Sequence, residues 1–253
     1  MSIILGLNCE HGDSAACLIE DNIIIAAIEE ERLSRIKHHF GFPFKSIQYC
    51  LDFANIKIED IDVVAINSNP KANFFRKFFY IMRHPISFGL ALNRIFKSRK
   101  KNLKDNLKDI GYYKKIKFVE HHLSHITSSY PLSKFKDSVV LSVDGFGDFT
   151  SVAWGIAKNY KIKIEKKILF PNSMGIFYSA VTQHLGFLNY GDEYKVMGMS
   201  SYGVNKYKKE LKDLISFSND GSINLNLEYF NHHKKNYFKI KNNLVTINQL
   251  FSE

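Results

Sequence analysis

Three histidines occur within five positions of the segment VEHHLSHITSS, which runs from Val119 to Ser129. If this segment is helical, His121 and His125 project from the same face, with their Cβ atoms about 5–6 Å apart. A histidine pair with this spacing can hold a divalent metal ion. His122 points elsewhere and is interpreted as a supporting or surface residue. The alternative is that the three histidines only solvate the end of a helix.

Two histidines are too few for a tight metal site, so a carboxylate is also required. The candidate is Asp144, at the end of the next predicted strand, in SVDGFGD. Two nitrogen ligands with a carboxylate favour iron, manganese or zinc over magnesium, and they leave a position open for a substrate oxygen. The sequence therefore predicts a divalent metal site at His121, His125 and Asp144.

Three other segments carry candidate residues. In the turn EHGDSAA, His11 could act as a general acid or base beside Asp13, or it could be an ordinary surface residue. In EEERLSRIKHHFGFP, Lys37 could contact a phosphate or a similar anion, unless the run is only a solvated loop or helix start. In GDEYKVMGMSSYG, Glu193 and Lys195 are available for polar contacts to a ligand.

The elements that must position these residues form a repeated pattern. IILGLN, AACLIE and IIIAAIEEE are predicted as three strands joined by turns, and VVLSVDGFGD, TSVAWGIAK and KIKIEKKILF repeat the arrangement. The two copies are roughly 135 residues apart, which indicates an internal duplication. Equivalent positions are Asn8 and Asp144 at the ends of the first strands, and Gly12-Asp13 and Gly147-Asp148 in the turns.

A duplicated three-strand meander with a glycine-acid turn is the layout of the actin–sugar kinase–Hsp70 superfamily. We therefore predict an α/β, actin-like (ASKHA, ribonuclease H-like duplicated) fold. The turn glycines would let backbone N–H groups approach phosphate oxygens closely. The predicted first subdomain spans residues 1–137, with a basic aromatic insertion at about 72–112, and a partial, incomplete second subdomain spans 138–253.

Composition sets limits on the class of protein. A chain of 253 residues with 45% hydrophobic residues can bury a substantial core. The net charge of +10 reflects either AT-rich codon usage and solvated faces or a negatively charged partner. The N-terminus does not resemble a signal peptide, and no apolar run is long enough to span a membrane. We expect a cytoplasmic protein.

The run FFRKFFYIMRHPISFGLALNRIFKSRKK, from Phe74 to Lys101, is basic and aromatic and could lie on a membrane or on RNA. Its Arg, His and Pro interruptions favour a surface helical insertion or a flap over a site. We therefore expect no membrane partner and regard a nucleic acid partner as disfavoured.

The segments HGDSAA, EEERLSRIKH, HHLSH, SVDGFGD and GFLNYGDEYKVMGMSSYG, taken together, resemble the N-terminal half of the O-carbamoyltransferase family. This family includes the nodulation protein U type and antibiotic-tailoring carbamoyltransferases. The resemblance covers residues 3–203 in the same order. It implies that a C-terminal YrdC-like domain makes carbamoyl-adenylate from carbamoyl phosphate and ATP. The N-terminal domain then transfers the carbamoyl group to a hydroxyl of a sugar or secondary metabolite, beside a bound metal that is commonly iron, Fe(II).

The resemblance also assigns roles. It implies His121, His125 and Asp144 as metal ligands, His11 as the base for the acceptor hydroxyl, and Lys37 as a contact of carbamoyl-adenylate. The cofactor-binding residues expected around ATP or carbamoyl-adenylate are Asp13, Gly145, Gly147 and Lys195.

The resemblance fades after about residue 205, and the YrdC-like domain and the family's last aspartate ligand are not found in this sequence. We therefore expect a separate polypeptide carrying the missing C-terminal part as a possible partner. One alternative is an inactive truncated relic, or a subunit of a split enzyme, that only binds metal or nucleotide. Another is an actin-like sugar kinase, which is disfavoured because such kinases do not need the histidine pair.

Overall fold

A computed structural model describes residues 2–84, 99–234, 238–241 and 243–252. Backbone contacts divide the chain into two compact units. The first unit comprises Met1–Pro70, Phe88–Val119 and Ile240–Thr246, and the second comprises Lys71–Ser87, Glu120–Lys239 and Ile247–Glu253. This division differs from the predicted boundary at residue 137, because the histidine helix packs against the first strand of the second unit.

Strands and helices follow one another in a mixed α/β order. The strands are β1 Ile3–Asn8, β2 Ala15–Glu20, β3 Ile23–Glu29, β4 Val63–Ile66, β5 Lys115–Phe118, β6 Asp137–Gly147, β7 Thr150–Lys158, β8 Lys161–Leu169, β9 Ile215–Phe217, β10 Ile223–Leu225, β11 Phe238–Lys241 and β12 Leu244–Ile247. The helices are α1 Glu30–Ser34, α2 Phe44–Ala54, α3 Phe74–Arg83, α4 Arg99–Asp109, α5 His121–Ser129, α6 Met174–His184, α7 Glu193–Met199 and α8 Lys208–Leu214. Residues 85–98 of the predicted insertion lie outside the described residues.

The first unit is built on a sheet with the strand order β3-β2-β1-β4-β5. The central strand β1 is antiparallel to β2 and parallel to β4. Leu5 and Leu7 of β1 are buried because helices and the neighbouring strand contribute to the same core. That core includes Ile47 and Cys50 of α2, Val64 and Ile66 of β4, and Leu103 and Leu107 of α4.

The third strand ends at Glu29 rather than at Glu31, where the predicted segment IIIAAIEEE ends, because Glu30 has a structural task. Its Oε2 accepts hydrogen bonds from the backbone N–H and the hydroxyl of Ser46, both at 2.7 Å, and its Oε1 accepts one from the N–H of Lys45 at 3.2 Å. A buried carboxylate at this place satisfies N–H groups in the first turn of α2. The chain therefore turns into α1 at Glu30 rather than continuing as β3.

The second unit repeats the three-strand meander as the antiparallel sheet β6-β7-β8, which confirms both predicted meanders as secondary structure. Helix α6 follows β8 and buries Ile176 and Ala180. It begins after Ser173, whose hydroxyl accepts a hydrogen bond from the N–H of Ile176 at 3.1 Å. Gly186, with φ +92°, follows its last turn, at the position where glycine commonly ends a helix.

Within the described residues, no helix combines the length and the apolar composition needed to cross a membrane. Helix α3, which opens the basic aromatic segment, contains no buried residue. Its Tyr80 nevertheless packs edge-to-face against Phe149 and Phe170, with ring centroids 5.7 and 5.1 Å away. Through these ring contacts α3 packs against the rest of the second unit.

His232 gives the second unit a predictable pH dependence. Its ring is 4% exposed and lies among Phe146, Phe170 and Phe230. Its Nε2–H donates to the carbonyl of Pro171 at 2.8 Å. Burial lowers the pKa of His232 to about 4, and the hydrogen bond to Pro171 only partly offsets that shift.

Because the pKa of His232 in the folded state lies below its unfolded value of 6.5, the unfolded state binds more protons between about pH 4 and 6.5. The free energy of unfolding should therefore be unaffected by this group above about pH 6.5 and fall towards pH 4, by up to about 3 kcal/mol. Urea unfolding of the wild type and of His232→Phe over this pH range checks the effect. His232→Phe should show a flatter profile, and the exposed control His184→Phe should keep the wild-type slope. Parallel profiles for the wild type and His232→Phe would contradict the assignment.

Candidate functional site

The start of α5 is fixed to the turn between β6 and β7. The backbone N–H of His121 donates to Oδ2 of Asp148 at 2.9 Å. A carboxylate at this position accepts from a first-turn N–H group that no carbonyl of the helix can reach, and it lies at the positive end of the helix dipole. Glu120, just before the helix, pairs with Lys167 of β8 at 2.6 Å. The first turn of the histidine helix is therefore held by two side chains of the sheet.

His122 connects the same helical turn to the sheet through two hydrogen bonds. It is fully buried, its Nε2 lies 3.0 Å from the carbonyl oxygen of Thr150, and its Nδ1 lies 2.8 Å from the hydroxyl of Ser142. Since a carbonyl can only accept, Nε2 carries the hydrogen and Nδ1 accepts from Ser142. Burial lowers the pKa of His122 and favours this neutral form. Both nitrogens of His122 are thus used to attach α5 to β6 and β7.

At two glycines near the site an added Cβ atom would collide with neighbouring atoms, and at a third it would lie in open space. A Cβ on Gly147 would lie 1.9–2.6 Å from three ring atoms of His121. A Cβ on Gly175, in the first turn of α6, would lie 2.6 Å from the carbonyl of Asp144. At Gly145 a Cβ would meet nothing within 4 Å. Gly147, predicted as a cofactor-binding residue, is therefore the residue that makes room for the His121 ring.

The side chains of His121, His125 and Asp144 converge. The Nε2 of His121 lies 2.7 Å from Oδ2 of Asp144, and the Nε2 of His125 lies 3.0 Å from Nε2 of His121 and 3.6 Å from the same Oδ2. A divalent ion bonded at about 2.0–2.2 Å to all three would place these atoms roughly 3.0–3.6 Å apart. The two distances from His125 fall in this range, and the 2.7 Å between His121 and Asp144 is a hydrogen-bond distance that would have to lengthen on metal binding. The donor set therefore suits a transition metal. His121 is buried and His125 is half exposed, so one side of the cluster is open to solvent.

Asp144 is suited to charge pairing. Burial would raise its pKa, but hydrogen bonds from His121 and His125, the charge of His121 and the N–H of Gly145 outweigh this and hold the pKa well below its usual range. The N–H of Gly145 donates to Oδ1 at 2.6 Å. Oδ1 is thus held by backbone, and Oδ2 faces the two imidazoles as an ionised ligand atom.

A second cluster lies in the first unit, around Glu31. The ammonium of Lys37 donates to both carboxylate oxygens of Glu31, at 2.9 and 3.2 Å, and the N–H of His38 donates to one of them at 2.9 Å. This bond to Lys37 lowers the pKa of Glu31 and raises that of Lys37. Nδ1 of His38 lies 2.7 Å from Oδ1 of Asp13. The result is the Lys37–Glu31 ion pair followed by the His38–Asp13 hydrogen bond.

Asp13, Glu31 and His38 also bring three possible ligand atoms within 4.8 Å of one another. Here, however, the carboxylate of Glu31 is already neutralised by Lys37. Among the described residues, the contacts of Asp144 in the other cluster include no ammonium group. The His121–His125–Asp144 cluster therefore fits a cation better.

Two further predicted site residues, His11 and Lys195, have contacts of their own. His11 lines a small recess of the first unit together with Cys9, Ile66 and Phe118. Lys195 pairs with Asp192 at 2.7 Å and lies 5.6 Å from the centre of the Phe187 ring. Asp192 raises the pKa of Lys195 by accepting its hydrogen bond.

Glu193 is tied to α6, because its side chain accepts from the hydroxyl of Ser179 and its carbonyl from that of Tyr178 at 3.0 Å. These contacts fix the loop after α6. They do not bring Glu193 to the histidine cluster.

Sequence reasoning did not assign roles to Asp148, Gly175 or the Asp13–His38 pair. Asp148 was visible as a turn residue and Gly175 as part of a helix start, but their contacts, to His121 and Asp144, join residues 27 and 31 positions apart in the chain. Ser173 could have been identified, since a serine directly before a periodic apolar segment is a helix-start signal. No local signal pairs Asp13 with His38.

Residues 3–253 match the family model described as "Carbamoyltransferase N-terminus". The chain belongs to the carbamoyltransferase family. This confirms the resemblance carried by HGDSAA, EEERLSRIKH, HHLSH and SVDGFGD. The match continues to residue 253, so the expectation that the resemblance fades after about residue 205 is wrong. Membership of this family supports a transferase role.

Relatives of this carbamoyltransferase-family chain support the same assignment. It is 34% identical over 245 residues to uncharacterized protein sll1178 of Synechocystis, covering 92% of this chain and 40% of that protein. It is 35% identical over 192 residues to nodulation protein NolNO of Sinorhizobium fredii, covering 76% of this chain and 28% of that protein. The chain thus spans less than half the length of these relatives.

Among solved structures, the carbamoyltransferase-family chain is similar to YeaZ from Pseudomonas aeruginosa, with a TM-score of 0.37, 14% identity, and coverage of 69% of this chain and 70% of that one. It is also similar to an Aquifex aeolicus member of the Ppx/GppA family, with a TM-score of 0.35, 12% identity, and coverage of 85% and 63%.

The two glycines before the β6–β7 turn make a matched pair of substitutions. Gly147→Ala should force the His121 ring or the hairpin to move, so the free energy of unfolding should fall by about 1–3 kcal/mol. Gly145→Ala adds the same methyl group into open space and should leave the free energy of unfolding nearly unchanged. Denaturant unfolding of both variants measures this. If the free energy of unfolding fell equally in the two variants, the position of the His121 ring would not depend on the absence of a Cβ atom at Gly147.

Proposed function

We propose that this chain performs the transfer step of an O-carbamoyltransferase. A carbamoyl group moves from carbamoyl-adenylate, made from carbamoyl phosphate and ATP, to a hydroxyl of a sugar or secondary metabolite. The observation that carries the proposal is the convergence of two imidazole nitrogens and one ionised carboxylate, His121, His125 and Asp144, in a member of this family. A cluster of this kind suits a reaction in which negative charge develops on oxygen.

The metal ion held by these residues is proposed to be Fe(II) or another divalent ion. When bound, it supplies positive charge that polarises an oxygen of the donor. The protein's part is to orient the ligands: Asp148 and His122 fix the helix that carries both histidines, and Gly145 fixes the carboxylate. The half-exposed His125 leaves the approach to the cluster open.

Lys37 is proposed to contact the anionic part of carbamoyl-adenylate. Its side chain is largely exposed, and the buried carboxylate of Glu31 holds its ammonium group in place. An oriented ammonium group can bind phosphate oxygens without a further ordering cost. Because Glu31 raises the pKa of Lys37, the lysine stays charged at neutral pH.

The transfer step requires a base. The acceptor oxygen forms a bond to the carbamoyl carbon, the bond between that carbon and the adenylate oxygen breaks, and AMP leaves with the electron pair. The acceptor proton passes to an imidazole. His11 is the proposed base, and His38 is a second candidate because Asp13 accepts from its Nδ1 and so directs base character to Nε2.

Metal content tests the cluster. His121→Ala/His125→Ala should lose the iron, manganese or zinc that the purified wild type binds, as measured by inductively coupled plasma mass spectrometry after metal loading and desalting. His184→Ala, which removes an exposed histidine of α6, should keep wild-type metal content. Circular dichroism establishes that each variant is folded. Equal metal content in the double variant and the wild type would refute the site.

Ligand binding tests the role of Lys37. Lys37→Met should weaken binding of a nonhydrolysable carbamoyl-adenylate analogue on the order of tenfold or more, since a charge-assisted hydrogen bond is lost. Lys45→Met is the matched control, because the Lys45 ammonium contacts only the carbonyl of Leu33 in the described structure. Isothermal titration calorimetry measures both.

Isotope tracing tests the reaction class. Label should pass from carbamoyl-adenylate to a sugar hydroxyl, and no label should pass from the γ-phosphate of ATP. Transfer of the γ-phosphate instead would favour the sugar kinase alternative. Binding of metal or nucleotide without either transfer would favour a binding subunit or an inactive relic.

A further inference from the structure

The positive charge of this chain is concentrated in one stretch of the sequence. Residues 63–104 include ten Lys and Arg residues and no Asp or Glu, whereas the rest of the chain has 25 basic and 25 acidic residues. The net charge of +10 therefore resides in this one stretch. A bias in codon usage acts along the whole chain and would not remove every acidic residue from one part of it. The local excess points to a negatively charged partner.

Helix α3, Phe74–Arg83, lies within this stretch and carries apolar side chains on one face. At 3.6 residues per turn, five of its side chains fall within an arc of about 140°. They are Phe74, Phe75, Phe78, Phe79 and Met82, and each is between 50% and 74% exposed. A surface helix normally turns such a face towards the core, so an exposed face of this kind marks an interaction site.

The opposite side of α3 attaches it to the rest of the second unit. Tyr80 projects about 170° from the middle of the apolar arc, and its ring packs against Phe149 and Phe170. At the start of the helix, the side-chain amide of Asn73 donates to the carbonyl of Asp148 at 2.9 Å. These contacts hold α3 with its apolar face directed away from the rings and the turn that it packs on.

We propose that the apolar face of α3 binds to an anionic membrane surface. The helix lies in the plane of that surface, with its phenylalanine and methionine side chains at the level of the acyl chains. Arg76 and Arg83 border the apolar arc on one side and Lys77 on the other, where they meet the phosphate groups of the lipids. Basic residues beside a continuous apolar face are typical of helices that lie on membranes.

The interruptions that favoured a flap without a membrane partner do not break this face. The three basic residues of α3 lie beside the apolar arc, and His84 and Pro85 follow the last residue of the helix. They exclude a helix that spans the membrane, and they are compatible with one that lies on it.

The arrangement of charge favours lipid over nucleic acid. A surface that binds single-stranded nucleic acid combines basic and aromatic side chains, so that bases stack while phosphates are paired. On α3 the apolar arc contains no hydrogen-bonding side chain, and the basic residues lie outside it. This separation suits a bilayer, in which the apolar and the charged layers are also separate.

The contact between Asn73 and Asp148 links α3 to the candidate metal cluster. Asp148 also accepts from the backbone N–H of His121, so one turn contacts both α3 and the histidine helix. Binding of α3 to a membrane therefore holds that cluster near the lipid surface. Membrane binding itself does not depend on carbamoyl chemistry or on a bound metal.

Flotation with vesicles tests the surface. The 253-residue chain is mixed with vesicles of equal parts phosphatidylglycerol and phosphatidylcholine, and the bound fraction is measured after centrifugation in a density gradient. The wild type should float with these vesicles, and binding should weaken with added salt or with pure phosphatidylcholine, because the basic residues pair with anionic headgroups. Phe75→Gln/Phe79→Gln should lower the partition coefficient by about tenfold or more, since two rings no longer enter the bilayer.

Phe135→Gln/Phe217→Gln is the matched control, because it makes the same substitutions at two similarly exposed rings outside α3 and keeps the net charge. It should bind vesicles like the wild type, and both double variants should keep the circular dichroism spectrum and the unfolding midpoint of the wild type. Equal vesicle binding by the wild type and Phe75→Gln/Phe79→Gln would overturn the proposal, since it would show only the general attraction of a basic protein.

An equal loss of vesicle binding in the control variant would overturn the proposal as well. The same holds if the wild type does not float with anionic vesicles. In that case, binding of single-stranded RNA or self-association that Phe75→Gln/Phe79→Gln abolishes would identify a nucleic acid or a second copy of the chain as the partner of α3.

Discussion

The approach of the first turn of α5 to the β6–β7 hairpin is the constraint on which the candidate site depends. Gly147 lets the hairpin reach the His121 ring, Asp148 binds the helix start, and His122 bridges to Ser142. Each neutral hydrogen bond contributes only about 1 kcal/mol to stability. Together with the steric limit at Gly147 they fix the orientation of the helix, and orientation is what a metal site requires.

The acidic run at the end of β3 shows how one sequence feature divides into separate tasks. Glu30 is buried and organises the start of α2, whereas Glu31 holds Lys37 and the backbone of His38. Glu29 pairs with Arg32 at the surface. Burial of these two carboxylates is tolerated because their oxygens accept hydrogen bonds from the Lys37 ammonium, from backbone N–H groups and from the Ser46 hydroxyl. A solvated loop, the simpler reading of this run, would show none of these contacts.

Local patterns predicted much of the fold and part of the site. The alternation in IILGLN and VVLSVDGFGD predicted β1 and β6, and the spacing of His121 and His125 predicted neighbouring side chains on a helix. Both succeed because strand and helix periodicity acts within a few residues. The end of β3 was predicted less well, since the hydrogen bonds of Glu30 come from a helix that begins fourteen residues later.

The sequence by itself determined the family, the repeated meander and the identity of the residues able to bind a metal. Tertiary structure decided which of them meet. Asp144 contacts His121, Gly147 leaves room for the His121 ring, and Asp13 pairs with His38. Each of these contacts joins residues more than twenty positions apart in the chain. Tertiary structure also decides that Leu5 is buried and Leu141 is exposed. Identical side chains on equivalent strands differ in exposure because different elements pack on them. Local propensity carries no information about such distant partners.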